Sequence, residues 1–133
     1  MTSQVKDTGI LFHPKKGSVL ICNYKGNILP EITKKRPVVI ITPKLPYREK
    51  LAMIVPLSTT PPKYNVDYVV KLRGYYGNDP KRPQQYAKCD LISSVSFKRL
   101  DRVKIGYRKY ITPTLSDDDL DNVVKGVRRA LCI

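Results

Sequence analysis

The sequence predicts a small, mainly β domain, curled on itself, with one helix packed against it at the C-terminal end. Three observations predict this. Short runs rich in Val and Ile recur along the chain, each bounded by Pro, Gly or Asn. Only one stretch, near the end, has helical periodicity. The length of 133 residues suits one domain and can bury a core without disulfide staples.

Residues 17–24 read as the first strand, and Lys25, Gly26 and Asn27 end it with turn chemistry. Residues 25–36 form a loop that is polar apart from Ile28, Leu29 and Ile32. Residues 37–42 are the second strand, whose near-continuous apolar run predicts cover on both faces. A loop with two prolines spans 43–50, and the third strand covers 51–57, where Pro56 predicts an edge or a bulge. Residues 67–72 alternate weakly and form a fourth strand. Residues 73–85 lack periodicity and read as a long, mobile, basic loop carrying Tyr75 and Tyr76. Residues 86–90 and 94–97 are short strands. The helix is expected over 116–133, with Leu120, Val123, Val124, Val127 and Leu131 on its apolar face. Ser116 is its expected N-cap and Asp119 the capping-box partner. Residues 117–119 are acidic and Arg128 and Arg129 basic, each at the end of the helix dipole that favours them.

The formal charge of +14 comes from 25 Lys and Arg against 11 Asp and Glu. That excess suits a nucleic acid or an acidic protein as partner. Cys22, Cys89 and Cys132 are odd in number and match no metal-knuckle or redox spacing, so reduced thiols in a cytoplasmic protein are expected. Residues 1–8 lack the apolar core of a signal peptide, and no apolar run is long enough to span a membrane. His13 is the only histidine, which excludes a histidine acid–base pair; it matches no motif and reads as structural.

Two segments hold the most chemistry. The first sets Glu31, Lys34, Lys35 and Arg36 before a β-branched strand. The second ends an apolar strand in Ser58, Thr59 and Thr60. A guanidinium beside hydroxyls at neighbouring strand ends can hold a phosphate. Each feature also has a plainer reading. Arg36 could form a surface ion pair with Glu31; Ser58 and Thr59 could cap a turn before Pro61 and Pro62; Asp90 could cap a turn as well.

These segments resemble the PemK/MazF family of toxin endoribonucleases from bacterial toxin–antitoxin pairs. Four ordered blocks carry the resemblance. A strand opens on Gly17, Ser18, Val19 and Leu20. Glu31 is followed after four residues by Arg36, Pro37 and β-branched residues. Val55, Pro56, Leu57, Ser58 and Thr59 end a strand. Lys88, Cys89 and Asp90 come next, with Arg99 and Leu100 after them. The match covers 17–133 as a single toxin domain preceded by an N-terminal extension at 1–16. Leu91 stands where members often carry Gln, and the loop 73–85 is longer than in compact members.

The resemblance implies an SH3-like barrel that forms a homodimer and cuts single-stranded RNA without a metal or other cofactor. It also implies a cognate antitoxin whose tail fills the RNA groove. The family's catalytic positions fall on Arg36, on Thr59 with Ser58 beside it, and on Asp90; Glu31 matches a loop carboxylate near the site. Arg36 would stabilise charge on phosphorus, and Asp90 or Glu31 would take the 2′-hydroxyl proton. Lys34, Lys35, Lys88, Lys81 and Arg82 would bind the RNA backbone, and Tyr75 and Tyr76 would stack bases. Two rival readings share the fold: a non-enzymatic toxin that binds a protein such as DNA gyrase, and an RNA-binding module without catalysis.

Overall fold

The computed structural model describes residues 9–133; residues 1–8 of the N-terminal extension lie outside the described residues. The elements run β1 (Val19–Cys22), β2 (Arg36–Ile40), β3 (Leu51–Ser58), β4 (Val69–Lys71), β5 (Tyr86–Lys88), β6 (Ser93–Ser96), β7 (Leu100–Asp101), β8 (Val103–Gly106), β9 (Lys109–Ile111) and α1 (Asp117–Leu131). Seven strands form one sheet in the order β4-β5-β3-β2-β1-β7, with β6 also paired to β3; β8 and β9 form a separate hairpin. The main-sheet pairings are antiparallel. The path is open between β4 and β7, so the strand pairings do not close the expected barrel.

Alternation along β1, β2 and β3 feeds two cores. Val19, Val39, Val55 and Leu57 pack with Val123 and Val127 of α1. Leu20, Val38, Ile40 and Ile54 pack on the other face with Phe97 and Leu100. The near-continuous apolar run of β2 is thereby explained, since both of its faces are covered. Each fully buried Val, Leu or Ile contributes roughly 1.5–3 kcal/mol.

Pro56 departs from expectation, because β3 lies inside the sheet. Its residues 51–54 pair with β6 and its residues 57–58 with β5. Pro56 falls at the changeover, opposite neither neighbour on that side, so its missing N–H removes no bond from either pairing. β7, β8 and β9 are the elements that periodicity does not predict. They are short, and only Val103 of the hairpin is buried.

The helix starts where expected. The Ser116 hydroxyl accepts from the Asp119 N–H at 3.2 Å. The reciprocal half of the capping box is replaced. Asp119, fully buried, accepts instead from the N–H groups of Arg73 (2.9 Å) and Gly74 (3.0 Å) and from the Tyr76 hydroxyl (2.7 Å). The Ser116 N–H donates to that same Tyr76 oxygen at 3.0 Å. Burial alone would raise the Asp119 pKa; the two backbone donors, the tyrosine hydroxyl and the Arg73 charge outweigh it and hold the carboxyl below its usual value. Gly126 lets α1 sit close to the sheet, since a Cβ there would lie 2.7 Å from both Cys89 Sγ and Val70 Cγ2. Leu131, expected on the apolar face, is the last residue of the helix and is exposed. Cys132 caps the helix in the left-handed conformation, at φ 59°.

Cys22 and Cys89 are buried free thiols, and Cys132 is exposed. Burial pushes Cys22 up to about 11 and Cys89 up to about 12, so neither offers a thiolate near neutral pH.

Candidate active site and nucleic-acid interface

β2 and β3 pair in a register that sets Val38 opposite Pro56. Carried on by two residues, it places Arg36, the first residue of β2, across from Ser58, the last of β3. Ser58 in turn pairs with Tyr86 of β5, and Tyr86 with Lys71 of β4. Residues opposite one another share a sheet face. Arg36, Ser58, Tyr86 and Lys71 therefore form one polar row across four strands, with Thr59 at its rim. The apolar strands dictate this: their alternation commits odd positions of β2 and β3 to the helix-side core and leaves the even-numbered Arg36 and Ser58 on the other face.

Arg36 is exposed, and among the described residues no ion pair joins it to Glu31. Glu31 is engaged locally, where its Oε1 accepts from the Ile28 N–H at 2.7 Å. The Ser58 hydroxyl accepts from the Thr60 N–H at 3.0 Å, so it does cap the turn before the prolines. That leaves the half-buried Thr59 hydroxyl as the one in this pair without a local partner.

Asp90 is the remaining catalytic position expected from the sequence. It lies in the 3-10 turn Cys89–Leu91, between β5 and the start of β6, where Ser93 faces Ile54. On the sheet path β3 lies between the β5 end that precedes Asp90 and the β2 start that carries Arg36. Lys88, half-buried on β5, pairs with Val69 and shares the face of Tyr86. Lys34 and Lys35 are exposed just before Arg36.

The loop 73–85 is pinned rather than loose. The Tyr76 N–H donates to Gln85 Oε1 at 2.7 Å, Gln84 Nε2 to the Leu72 carbonyl at 2.8 Å, and Asn78 Nδ2 to the Lys104 carbonyl at 2.9 Å. Tyr76 is buried with its hydroxyl on Asp119, so it offers no face to a base, whereas Tyr75, Lys81 and Arg82 are exposed.

Arg36 also opens into a cleft of about 640 Å³ between the edge of β1 and β2 and the hairpin. Lys35, Arg36, Lys98, Arg99, Arg102 and Lys104 line it against the single carboxylate of Asp101. Arg99 is used structurally, donating to the carbonyls of Asn23 (3.0 Å) and Lys25 (2.9 Å). Sequence reasoning missed Lys71, Tyr86, Arg102 and Lys104. The signal available was the cation density over 98–104, but its placement beside Arg36 depends on β7 pairing with β1. Among the described residues, no group of three or more His, Cys, Asp or Glu side chains could hold a metal ion. No helix among them is long and apolar enough to cross a membrane.

An open, helix-backed sheet with a guanidinium-and-hydroxyl rim on a cationic cleft defines a basic domain suited to a polyanion. The chain belongs to the PemK-like, MazF-like toxins of type II toxin–antitoxin systems, whose family model matches residues 15–131. It is 30% identical to the uncharacterized protein YifN of Escherichia coli strain K12, covering 92% of this chain and 94% of that protein. Its fold is similar to that of MazF (Form-I) from Deinococcus radiodurans, with a TM-score of 0.69 at 18% identity over 92% of this chain and 99% of that one. It is also similar to a mycobacterial endoribonuclease solved in complex with its cognate antitoxin, with a TM-score of 0.64 at 16% identity over 91% and 97% of the two chains. At these identities the likeness to the solved structures is one of fold.

Proposed function

We propose that this toxin is a metal-independent endoribonuclease that cleaves single-stranded RNA by attack of a 2′-hydroxyl on the adjacent phosphorus. The products would be a 2′,3′-cyclic phosphate and a 5′-hydroxyl. The observation that carries this reading is the strand register that brings Arg36 to the Ser58–Thr59 strand end, with its guanidinium in no ion pair among the described residues. Arg36 binds two phosphate oxygens and stabilises the charge that builds on them. The Thr59 hydroxyl donates to the same phosphate and helps hold the three reacting atoms in line. Asp90 or Glu31 is the candidate base for the 2′-hydroxyl; for Glu31, releasing the Ile28 N–H would free its oxygen.

The mycobacterial endoribonuclease and the MazF of Deinococcus radiodurans were each solved with an antitoxin, which supports a cognate antitoxin as this chain's protein partner. The family resemblance supports a homodimer and an SH3-like closure of the sheet. A DNA gyrase poison on the same fold would have no use for Arg36 beside Thr59.

A long RNA incubated with the purified protein in EDTA should be cut at specific sites with cyclic-phosphate ends. An RNA carrying a 2′-deoxy sugar at the cut nucleotide should bind and stay intact. Cutting of that substrate, or 5′-phosphate products, would point to a water nucleophile and overturn the mechanism.

A further inference from the structure

The β8–β9 hairpin borders the Arg36 cleft but contributes nothing to the guanidinium-and-hydroxyl rim, and its charged side chains are all of one sign. From Arg102 to Thr114 the chain carries four cations and no carboxylate. The Arg102 guanidinium lies 4.5 Å over the Tyr110 ring, and the Arg108 guanidinium 5.1 Å over Tyr107. Such layers of cation on ring give flat platforms with positive charge, the surface on which unpaired bases stack and phosphates settle. Tyr107 is 78% exposed and Tyr110 38% exposed. Neither ring is needed for the cores, which take only Val103 from the hairpin. Arg102, Lys104 and Tyr110 also line the cleft that Arg36 enters, so the platform and the rim open into one space. Asn78 fastens the hairpin to the loop 73–85 through the Lys104 carbonyl, which holds the platform in place.

We propose that the β8–β9 hairpin is a second RNA subsite. Arg102 and Lys104 hold backbone phosphates, and the stacked Arg102–Tyr110 pair receives an unpaired base one or more nucleotides away from the phosphate held by Arg36. This rests on the RNA-cleaving reading for what Arg36 does, though not for the hairpin's own affinity. The subsite fits single-stranded nucleic acid better than duplex, since a stacked ring needs a base free of its partner. It would set how many nucleotides the toxin grips beyond the scissile bond.

The test uses the full chain and an uncleavable probe, a mixed-sequence 2′-O-methyl RNA of about twenty nucleotides, a length that exceeds the ~4–16 nucleotides of common single-strand sites. Affinity is measured by fluorescence anisotropy across a salt series, and cleavage of a long unmodified RNA is followed separately. The R102Q/K104Q protein should lose about 1.4 from its log–log salt slope, at roughly 0.7 per phosphate contact on a single strand. Tyr110→Leu should bind roughly tenfold more weakly with an unchanged slope, and Tyr110→Phe should restore binding, because the ring stacks and the hydroxyl does not. Circular dichroism melts should match wild type, as all three side chains are exposed.

Wild-type affinity and slope in both R102Q/K104Q and Tyr110→Leu would overturn the subsite, whether or not the wild type cuts RNA. Loss of binding to polyglutamate with RNA binding intact would assign the hairpin to an acidic protein and also overturn it. Weakened probe binding in a wild type that never cuts RNA would uphold the subsite and defeat the nuclease reading alone.

Discussion

Asp119 and Arg36 are both charged, and the fold treats them in opposite ways. Asp119 lies at the helix start with no exposed surface, and its two oxygens take three donors from the start of the loop 73–85. Arg36 lies at a strand start, exposed, with no carboxylate of the described residues in ion-pair range. A buried charge is tolerable only when saturated, and once saturated it has nothing left to offer a ligand. An exposed guanidinium keeps its five donors available at little cost to stability, because water serves it until a phosphate arrives. The difference separates the residues that hold the structure from those placed to meet a substrate. It also explains why Tyr76, on the Asp119 side, cannot serve as a base platform while Tyr110, on the cleft, can.

The largest expected effect lies on the Asp119 side. Asp119→Ala strands the Arg73 and Gly74 N–H groups and the Tyr76 hydroxyl, at roughly 1–3 kcal/mol for each group that water cannot reach. Urea denaturation should show a loss of about 3 kcal/mol or more, with cleavage per folded molecule unchanged. The same group sets an acid limb. Its pKa is lower folded than unfolded, so its stabilisation is complete above the unfolded value, near 4, and fades as pH falls through the folded value. Asp119→Asn should flatten the fall in stability below about pH 4. An acid limb as steep as wild type would mean that the knot is not what holds this end together.

Arg36→Ala comes next and should do the reverse. Cleavage should fall by roughly a hundredfold or more, about 2.7 kcal/mol in the barrier, while the melting curve stays near wild type. Full activity in a folded Arg36→Ala protein would remove Arg36 from the site.

Ser58 and Thr59 lie between these extremes and sharpen the division. Ser58→Ala should cost about 1 kcal/mol of stability through the lost bond to the Thr60 N–H, with a modest rate effect. Thr59→Val keeps the shape and should mainly cut the rate. If Ser58→Ala proves the more damaging to cleavage, the phosphate contact belongs to Ser58.

The smallest effect is a gain. Cys132 holds a left-handed backbone that glycine adopts freely, so Cys132→Gly should stabilise by about 0.5–1 kcal/mol in thermal melts. No change would mean that the helix end contributes little to the cooperative unit.

Much of this protein was legible in its sequence, for local reasons. The β-branched runs of β1, β2 and β3, the turn at Lys25 and Gly26, and the helix with its Ser116 cap each follow from the side chains of adjacent residues. Arg36 and Thr59 were singled out because ordered blocks of residue types carry a family's pattern even where pairing is unknown. What sequence could not decide was which face and which neighbour each segment meets. Pro56 reads as an edge residue until β3 is seen to change partners around it. Asp119 reads as a capping-box partner until the loop 73–85 delivers Tyr76 and two N–H groups from more than forty residues away. Asp90 follows β5 closely in the chain, yet sheet order puts it two strands from Arg36. Arg102 and Lys104 read as surface charge until β7 pairs with β1 and turns their hairpin toward the cleft. Each of these depends on contacts between residues distant in the chain, which periodicity and propensity do not encode and which only the packed sheet determines.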